Sequence, residues 1–255
     1  MRLLIIYPHG LGDIIMATPA LRKYRREHPD DYVVLAMQAR FESSEILKNC
    51  PYVDELLFTA DPWQDFVDAG LGFRTVQNFC RVWAKNNNID KVINPAFPAR
   101  MHKTTAFARA MGVDPLEVKP HTEVFTTQED VDAAVKFIGD RGPFGFVHTT
   151  TGAPLKDLPQ GFGRQWLKEN KGLDTCIEVG VEYKYDDFNI NTQFEIVRRA
   201  EAICVPDSVF YHARAAMDKP IDFAYFQRGE RTYRRVRVLH DHKKAITYNL
   251  KDIIR

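Results

Sequence analysis

The sequence predicts an α/β protein with two similar-sized domains, each built on a parallel sheet, that face a central cleft. Short apolar runs alternate with longer amphipathic stretches along nearly all 255 residues, which is typical of strands and helices in parallel sheets. The alternation breaks once, at the glycine- and proline-rich stretch GDRGPFGF (residues 139–146), and then resumes. We therefore predict one domain over residues 1–141 and a second over 142–255.

The composition is that of a folded globular protein without a strong charge preference. Hydrophobic residues make up 45% and charged residues 27% of the chain, and the formal net charge is +1. This balance gives no global argument for a nucleic-acid partner or an acidic partner. The longest apolar runs reach five or six residues, well short of the roughly 20 that a membrane span requires. Because Pro8-His9-Gly10 also interrupts the first run before a secretory leader could form, we predict a cytoplasmic protein without a transmembrane segment.

The cysteines argue against a disulfide framework or a zinc site. The chain has four of them, widely spaced and without a C-x-x-C pair, at Cys50, Cys80, Cys176 and Cys204. We predict that all four are buried free thiols.

The first half of the chain predicts four strands and four helices. Each strand is a short apolar run between turn residues, and each helix is a longer amphipathic stretch. The predicted strands are 3–7, 32–37, 55–58 and 91–93. The predicted helices are 13–27, 42–49, 75–85 and 103–111. Pro19 lies at the edge of the first two turns of helix 13–27, where we expect it to bend the helix without ending it.

The second half of the chain repeats the same pattern. An acidic helix comes first, and alternating strands and helices follow the glycine- and proline-rich stretch. The predicted strands are 144–148, 175–179, 202–205 and 221–225. The predicted helices are 128–138, 165–170, 193–199 and 208–217.

The loop after the first strand, GLGD (residues 10–13), is the first candidate site. Gly10 and Gly12 allow a tight turn and a close approach of the backbone to a ligand at the carboxyl end of the strand. Asp13 has two interpretations. It caps the helix, which contributes about 0.5–2 kcal/mol, or it faces the cleft and accepts a proton from a substrate hydroxyl. The chain has no G-x-G-x-x-G and no G-x-x-x-x-G-K-[ST] sequence, so dinucleotide binding and P-loop chemistry are not favoured.

A second candidate site follows the strand at 144–148. This stretch supplies hydroxyls, flexible backbone amides and a cation, which suit a phosphate. Its residues are His148, Thr149, Thr150, Thr151, Gly152 and Lys156. The alternative is a solvated, threonine-rich turn.

The third candidate site begins the last predicted helix. Asp207 and Ser208 follow a strand, so the amides of the helix start would bind an anion, or the two residues would serve only as a helix cap. His212 lies on the same helix face as Ser208, and its alternative role is that of a packed, hydrogen-bonded histidine.

Two further polar groups are weaker candidates. Glu178 and Glu182 lie at the end of a strand, where they could accept hydrogen bonds from a ribose or a base. The basic run at 228–244 could bind nucleic acid or a phosphorylated acceptor, although such runs are more often solvated faces.

Three segments, in this order, resemble the heptosyltransferase family, glycosyltransferase family nine. GLGDIIMATPALRKYRREHPD (residues 10–30) is similar to the family's amino-terminal signature. GFVHTTTGAPLKDLP (145–159) is similar to its small-residue loop and K-x-x-P element, with Leu158 at the usual tryptophan position. Residues 202–226 are similar to its D-[ST]-G-x-x-H-x-A-x-A-x-x-K-P segment, with Val209 at the glycine position. The following residues of that segment match: Asp207, Ser208, His212, Ala216, Lys219 and Pro220.

The resemblance implies a GT-B fold of two Rossmann-like domains and an inverting glycosyltransferase that needs no metal and no cofactor. The donor would be a nucleotide sugar similar to ADP-heptose, and the acceptor a hydroxyl of a glycan or a lipopolysaccharide-type molecule. Asp13 would be the base. The donor would be held by Thr149, Thr150, Thr151, Gly152, Lys156, Asp207, Ser208 and His212.

Two alternative functions remain at this stage. A protein of this fold could bind a sugar nucleotide or a glycan without catalysis, which the replacement of the usual glycine by Val209 favours. It could also glycosylate a modified nucleic-acid base, which the basic run at 228–244 favours. Peripheral contact with a membrane is compatible with the sequence, and the oligomeric state is not determined by it.

Overall fold

The computed structural model describes residues 1–60, 69–95, 103–118, 121–151, 157–225 and 246–248. The chain forms two compact units, Met1–Phe125 and Thr126–Arg255. Each described unit contains one parallel sheet with helices. The predicted α/β class with two parallel sheets is confirmed.

The first unit is a four-stranded parallel sheet in the order β3-β2-β1-β4. Its strands are β1 (Arg2–Ile6), β2 (Tyr32–Gln38), β3 (Glu55–Thr59) and β4 (Lys91–Ile93). Its helices are α1 (Leu11–Glu27), α2 (Ala69–Asn86) and α3 (Lys103–Met111).

β1, one of the two inner strands of this sheet, is apolar on both faces, as expected for a parallel strand covered on two sides. Leu3, Leu4 and Ile5 are fully buried, although successive side chains of a strand point to opposite faces. Leu4 belongs to a core cluster that includes Val76 and Cys80 of α2. The loop after β1 is therefore attached to a deeply buried strand of the unit.

The second unit is a five-stranded parallel sheet in the order β6-β5-β7-β8-β9. Its strands are β5 (Gly145–Val147), β6 (Cys176–Glu178), β7 (Ala202–Pro206), β8 (Phe223–Tyr225) and β9 (Ile246–Tyr248). Its helices are α4 (Gln128–Ile138), α5 (Phe162–Lys171), α6 (Ile190–Arg199) and α7 (Val209–Ala216).

Helices pack on both faces of the second sheet. Val147 of β5 belongs to the same buried cluster as Trp166 and Leu167 of α5. Its neighbour in the strand, Phe146, packs edge-on against Phe210 of α7 with ring centroids 5.0 Å apart. Because neighbouring strand residues point to opposite faces, α5 and α7 cover opposite sides of β5.

Several predicted boundaries differ from the structure. The two units divide between Phe125 and Thr126, before the predicted boundary at residue 141, because α4 packs against α6 of the second unit. The helix predicted at 42–49 is a short 3-10 helix, Ala39–Ser44, which ends where Glu45 adopts the left-handed conformation at φ 56°. α2 begins at Ala69, before the predicted start at 75, and β9 was not predicted.

Two further findings concern the composition-based predictions. All four cysteines are buried and free, as predicted. No helix in the described part of the chain is long and apolar enough to cross a membrane.

The contact between α5 and β5 leads to a stability prediction. A Cβ atom at Gly163 would lie 2.5 Å from Val147 Cγ1, so Gly163→Val is expected to destabilise the second unit by about 1–3 kcal/mol through overpacking. At Gly142 a Cβ atom would meet no atom of the described part of the chain within 4 Å, so the stability of Gly142→Val should stay within about 0.5 kcal/mol of the wild type. Urea unfolding followed by circular dichroism measures both, and equal stabilities would contradict the close packing.

Candidate active site

The first unit presents Asp13 in the first turn of α1, directly after the β1 loop. Gly10 is the N-cap of α1 with φ −65° and ψ 159°, and Gly12 lies inside the helix instead of in the loop as predicted. A Cβ atom at Gly10 would meet no atom of the described residues within 4 Å, which leaves room for a ligand next to the backbone there. The helix begins at Leu11, two positions before the predicted start, because the amides of Asp13 and Ile14 already donate to the carbonyl of Gly10.

The Asp13 carboxylate forms an ion pair with Lys103 of α3. Lys103 Nζ donates to Asp13 Oδ1, and the two side chains are 28% and 21% exposed. Among the described residues, no side chain forms a cap hydrogen bond at Gly10, the N-cap residue of α1. The capping interpretation of Asp13 is therefore not the arrangement observed, and its carboxylate remains partly open to solvent. The sequence analysis did not identify Lys103 as a partner of Asp13. The two residues lie 90 positions apart, and the one local feature of Lys103 is that it begins a predicted helix.

Two aromatic residues border the same loop. The buried Tyr7 hydroxyl donates to the Asp13 carbonyl at 3.1 Å, and its ring packs edge-on against Phe107 of α3 at 4.9 Å. Burial lowers the pKa of His9 to about 4, with opposing effects from the charges of Asp13 and Lys103. His9 is therefore neutral at pH 7.

In the second unit, polar contacts with β6 and with Asp157 hold the loop after β5. Thr149 Oγ1 donates to Glu178 Oε1 at 2.6 Å, and the amide of Thr151 donates to Asp157 Oδ1 at 2.6 Å. Thr150 between them is exposed. Two other predicted members of this loop, Gly152 and Lys156, lie outside the described residues.

The amino terminus of α7 lies next to this loop. β5 and β7 are neighbours in register, and the His148 amide donates to the Cys204 carbonyl at 3.2 Å. Ser208 is the N-cap residue, and its Oγ is buried without a hydrogen-bond partner among the described residues. The first-turn amides of a helix carry partial positive charge. The arrangement can therefore accept an anion at this edge of the sheet.

Asp207 and His212 contact each other beside this helix start. His212 Nε2 lies 3.6 Å from Asp207 Oδ1, and His212 is only 5% exposed. The structure thus brings together the three residues predicted from the third segment, Asp207, Ser208 and His212. His212 packs in the core of the unit, which fits its structural interpretation as well as a place beside an anion.

Glu178 and Glu182 form a network with Arg164 of α5, which sequence reasoning missed. Arg164 Nε donates to Glu178 Oε2 at 2.6 Å, and its NH2 group donates to Glu182 Oε2 at 2.6 Å. Glu182 also accepts from the Glu178 amide at 2.7 Å. Both carboxylates predicted to face a ribose or base are thus engaged with protein groups. A pattern of strand-end acids could have prompted a search for a basic partner on the neighbouring helix.

The described residues contain no cluster of three or more histidine, cysteine or acidic side chains that could hold a metal ion. The absence of a metal and of a cofactor stays a prediction. The basic run at 228–244 lies outside the described residues.

The two units together define the fold of the GT-B glycosyltransferases, and particular solved structures share it. Heptosyltransferase II of E. coli, an ADP-heptose LPS heptosyltransferase, matches with a TM-score of 0.67 and 11% identity over 100% of this chain and 94% of its own. A family 9 glycosyltransferase of Veillonella parvula matches at 0.62 and 13%, covering 98% and 86%. E. coli heptosyltransferase WaaC with ADP matches at 0.60 and 12%, covering 98% and 93%.

These matches confirm the predicted fold, and the resemblance of the sequence to heptosyltransferases is confirmed as a likeness of fold. No protein-family model and no curated protein matches the chain. Because folds of this kind support different reactions, the activity has to be argued from the sites themselves.

The buried His148 leads to a prediction about pH. Burial lowers the pKa of His148 to about 4, and the ring packs edge-on against Phe210 at 4.8 Å. Because the unfolded chain binds the proton first, at a pKa of about 6.5, stability should be complete above pH 6.5 and decrease as the pH falls to 4. The loss should reach about 3 kcal/mol.

We expect His148→Phe to remove this part of the pH dependence while keeping the ring packing. The measurement is an NMR titration of the His148 ring, combined with urea unfolding of both proteins between pH 4 and pH 8. A ring signal that titrates near pH 6.5 would contradict the burial argument.

Proposed function

We propose that this chain is an inverting, metal-independent glycosyltransferase. It would transfer a sugar from a nucleoside diphosphate sugar similar to ADP-heptose to a hydroxyl of a glycan or of a lipopolysaccharide-type acceptor. The observation that carries the proposal is the start of α7, where the buried Ser208 Oγ has no partner among the described residues and the helix amides face the same edge as the β5 loop.

The donor diphosphate is assigned to the second unit. Its phosphate oxygens would accept hydrogen bonds from Ser208 and the first-turn amides of α7, with Thr150 and Thr151 on the neighbouring loop. Lys156 and Gly152 complete this assignment from the sequence resemblance alone. Asp207 and His212 would lie beside the diphosphate as positioning groups.

The Glu178–Arg164–Glu182 network has a supporting role in this proposal. Both carboxylates already accept from Arg164, and Glu178 also accepts from Thr149. Because these hydrogen bonds occupy oxygens of both carboxylates, fewer oxygens remain to accept from a ribose than the sequence predicts. We infer that the main role of the network is to hold Thr149 and its loop in place. A direct contact of Glu178 or Glu182 with the ribose or base is a secondary role.

Asp13 is the base of the proposed reaction. The acceptor oxygen attacks the anomeric carbon, the bond from that carbon to the diphosphate oxygen breaks, and the acceptor proton moves to the Asp13 carboxylate. The nucleoside diphosphate leaves with the electron pair, and attack from the opposite side inverts the anomeric configuration. Base assistance of this kind contributes a factor of about 10² to 10⁴.

The negative charge that develops on the leaving diphosphate has to be stabilised for the reaction to proceed. Fixed amides at a helix start do this without reorganisation, because they already point at the charge before it develops. Together with Lys156 they take the part that a divalent ion plays in other enzymes. The proposal therefore needs no bound metal.

The non-catalytic alternative makes a different prediction for Asp13. If the chain only binds a sugar nucleotide, the wild type transfers no sugar, and the ion pair of Asp13 with Lys103 is structural. The nucleic-acid alternative depends on the run at 228–244, and no described residue favours it.

The first test replaces the proposed base. Asp13→Asn is expected to lower sugar transfer by about 10² to 10⁴-fold while the affinity for ADP stays unchanged, because the side chain acts only on the acceptor. The measurement is the release of ADP from ADP-heptose, with water or an added glycan as acceptor, and calorimetric titration with ADP. Asp30→Asn, which removes one exposed carboxylate from the same unit, is the control. Unchanged transfer by Asp13→Asn would show that Asp13 is not the base, whereas ADP binding by the wild type without any sugar transfer would support the non-catalytic alternative.

The second test concerns the donor site. Ser208→Ala should weaken ADP binding roughly tenfold to a hundredfold, because a hydrogen bond to a charged group contributes about 1.5–3 kcal/mol. It should not lower the stability of the unliganded protein, since the hydroxyl has no partner among the described residues. Calorimetry with ADP and urea unfolding measure the two effects, with the exposed Ser43→Ala as control. Equal ADP affinities would remove Ser208 from the donor site.

A further inference from the structure

α1 continues through Pro19, which leaves a gap in the hydrogen bonds of the helix. Proline has no amide hydrogen, so it cannot donate to the carbonyl of Ile15, four residues earlier. Thr18 Oγ1 donates to that carbonyl at 2.8 Å. The next carbonyl, that of Met16, accepts from Thr104 Oγ1 of α3 at 2.7 Å. The proline region of α1 is therefore also the point at which α3 is attached.

This attachment determines the position of Lys103. Thr104 donates to the Met16 carbonyl and is only 3% exposed. Lys103 is the residue before it, at the start of α3. Asp13 lies one helical turn before Met16, so a lysine beside Thr104 reaches the Asp13 carboxylate. A second contact also fixes α3 beside Asp13. Phe107 of α3 packs on Tyr7, and the Tyr7 hydroxyl donates to the Asp13 carbonyl.

Without this lysine the Asp13 carboxylate would have a different partner. Asp13 is the third residue of α1, and an acid at that position commonly reaches back to the backbone amide of the N-cap residue. In α4 this arrangement is present, where Asp130 accepts from the Thr127 amide at 2.8 Å. In α1 the carboxylate is turned to Lys103 instead, although the helix has no side-chain cap.

We propose that Lys103, placed by Thr104 at the proline region of α1, is a positioning residue that holds the Asp13 carboxylate away from the helix cap and toward the acceptor. This inference rests on the proposed role of Asp13 as the base. The charged and titratable groups of the described residues that face Asp13 are Lys103 of α3 and His9 and Tyr7 of the β1 loop. Since His9 is neutral at pH 7, Lys103 supplies the positive charge.

The first experiment measures the Asp13 side chain without any activity assay. In the wild type, NMR couplings should report one χ1 rotamer for Asp13. In Lys103→Met the rotamer should change, and the Gly10 amide should exchange its hydrogen more slowly, because the carboxylate now reaches it. Arg109→Gln, which removes an exposed cation from the same helix, should leave both unchanged. An unchanged rotamer in Lys103→Met would overturn the proposal.

The second experiment separates positioning from binding. At saturating ADP-heptose, Lys103→Met should lower kcat by about tenfold to a hundredfold, and the affinity for ADP should stay the same. Lys103→Arg should restore part of the rate, because it keeps a cation beside the carboxylate. Thr104→Val should also lower kcat, whereas Thr104→Ser, which keeps the hydroxyl, should not.

The two experiments distinguish this inference from the proposed function. If Asp13→Asn abolishes transfer but Lys103→Met keeps the wild-type kcat, only the positioning role of Lys103 is wrong. If Asp13→Asn transfers sugar at the wild-type rate, the proposed function itself fails. A higher acceptor KM with an unchanged kcat in Lys103→Met would also overturn the positioning role, since it would assign Lys103 to acceptor binding.

Discussion

The parallel pairing of the strands is the constraint on which the sites of both units depend. In a parallel sheet every strand ends at the same edge, so loops that are distant in sequence meet there. In the second unit this brings the loop after β5 next to the start of α7, because Val147 and Cys204 are paired in register. In the first unit the buried β1 carries the loop that leads to Asp13. The proposed phosphate site therefore uses residues that follow directly from the strand ends.

Long-range ion pairs then orient what the strands bring together. Lys103 reaches Asp13 from α3, and Arg164 reaches Glu178 and Glu182 from α5. In both cases a helix that packs on the unit supplies a cation to acids at the carboxyl edge. Partly buried pairs of this kind hold geometry more than they add stability, because desolvation offsets much of the attraction. The side chains at both sites are thus positioned before any ligand binds.

The sequence predicted the larger features because they depend on local patterns. The apolar run around Leu4 and the turn at Gly10 identify a buried strand and its loop without any knowledge of the rest of the chain. The left-handed conformation of Glu45, where the 3-10 helix ends, was not predicted, because a left-handed residue in a polar stretch has no clear sequence signal. The partners of Asp13 and Glu178 were missed for a related reason, since a pairing over a long sequence separation depends on packing. The boundary near residue 141 reflected local glycine and proline content, whereas the contacts of α4 determine where the second unit begins.

The proposed function requires that the second unit binds a nucleoside diphosphate at the start of α7. The most direct measurement is a crystal structure of the chain with ADP bound. We expect phosphate oxygens within hydrogen-bond distance, about 2.5–3.2 Å, of Ser208 Oγ and of the first-turn amides of α7. ADP bound in the first unit, or at a part of the second unit that does not include Ser208, would contradict it.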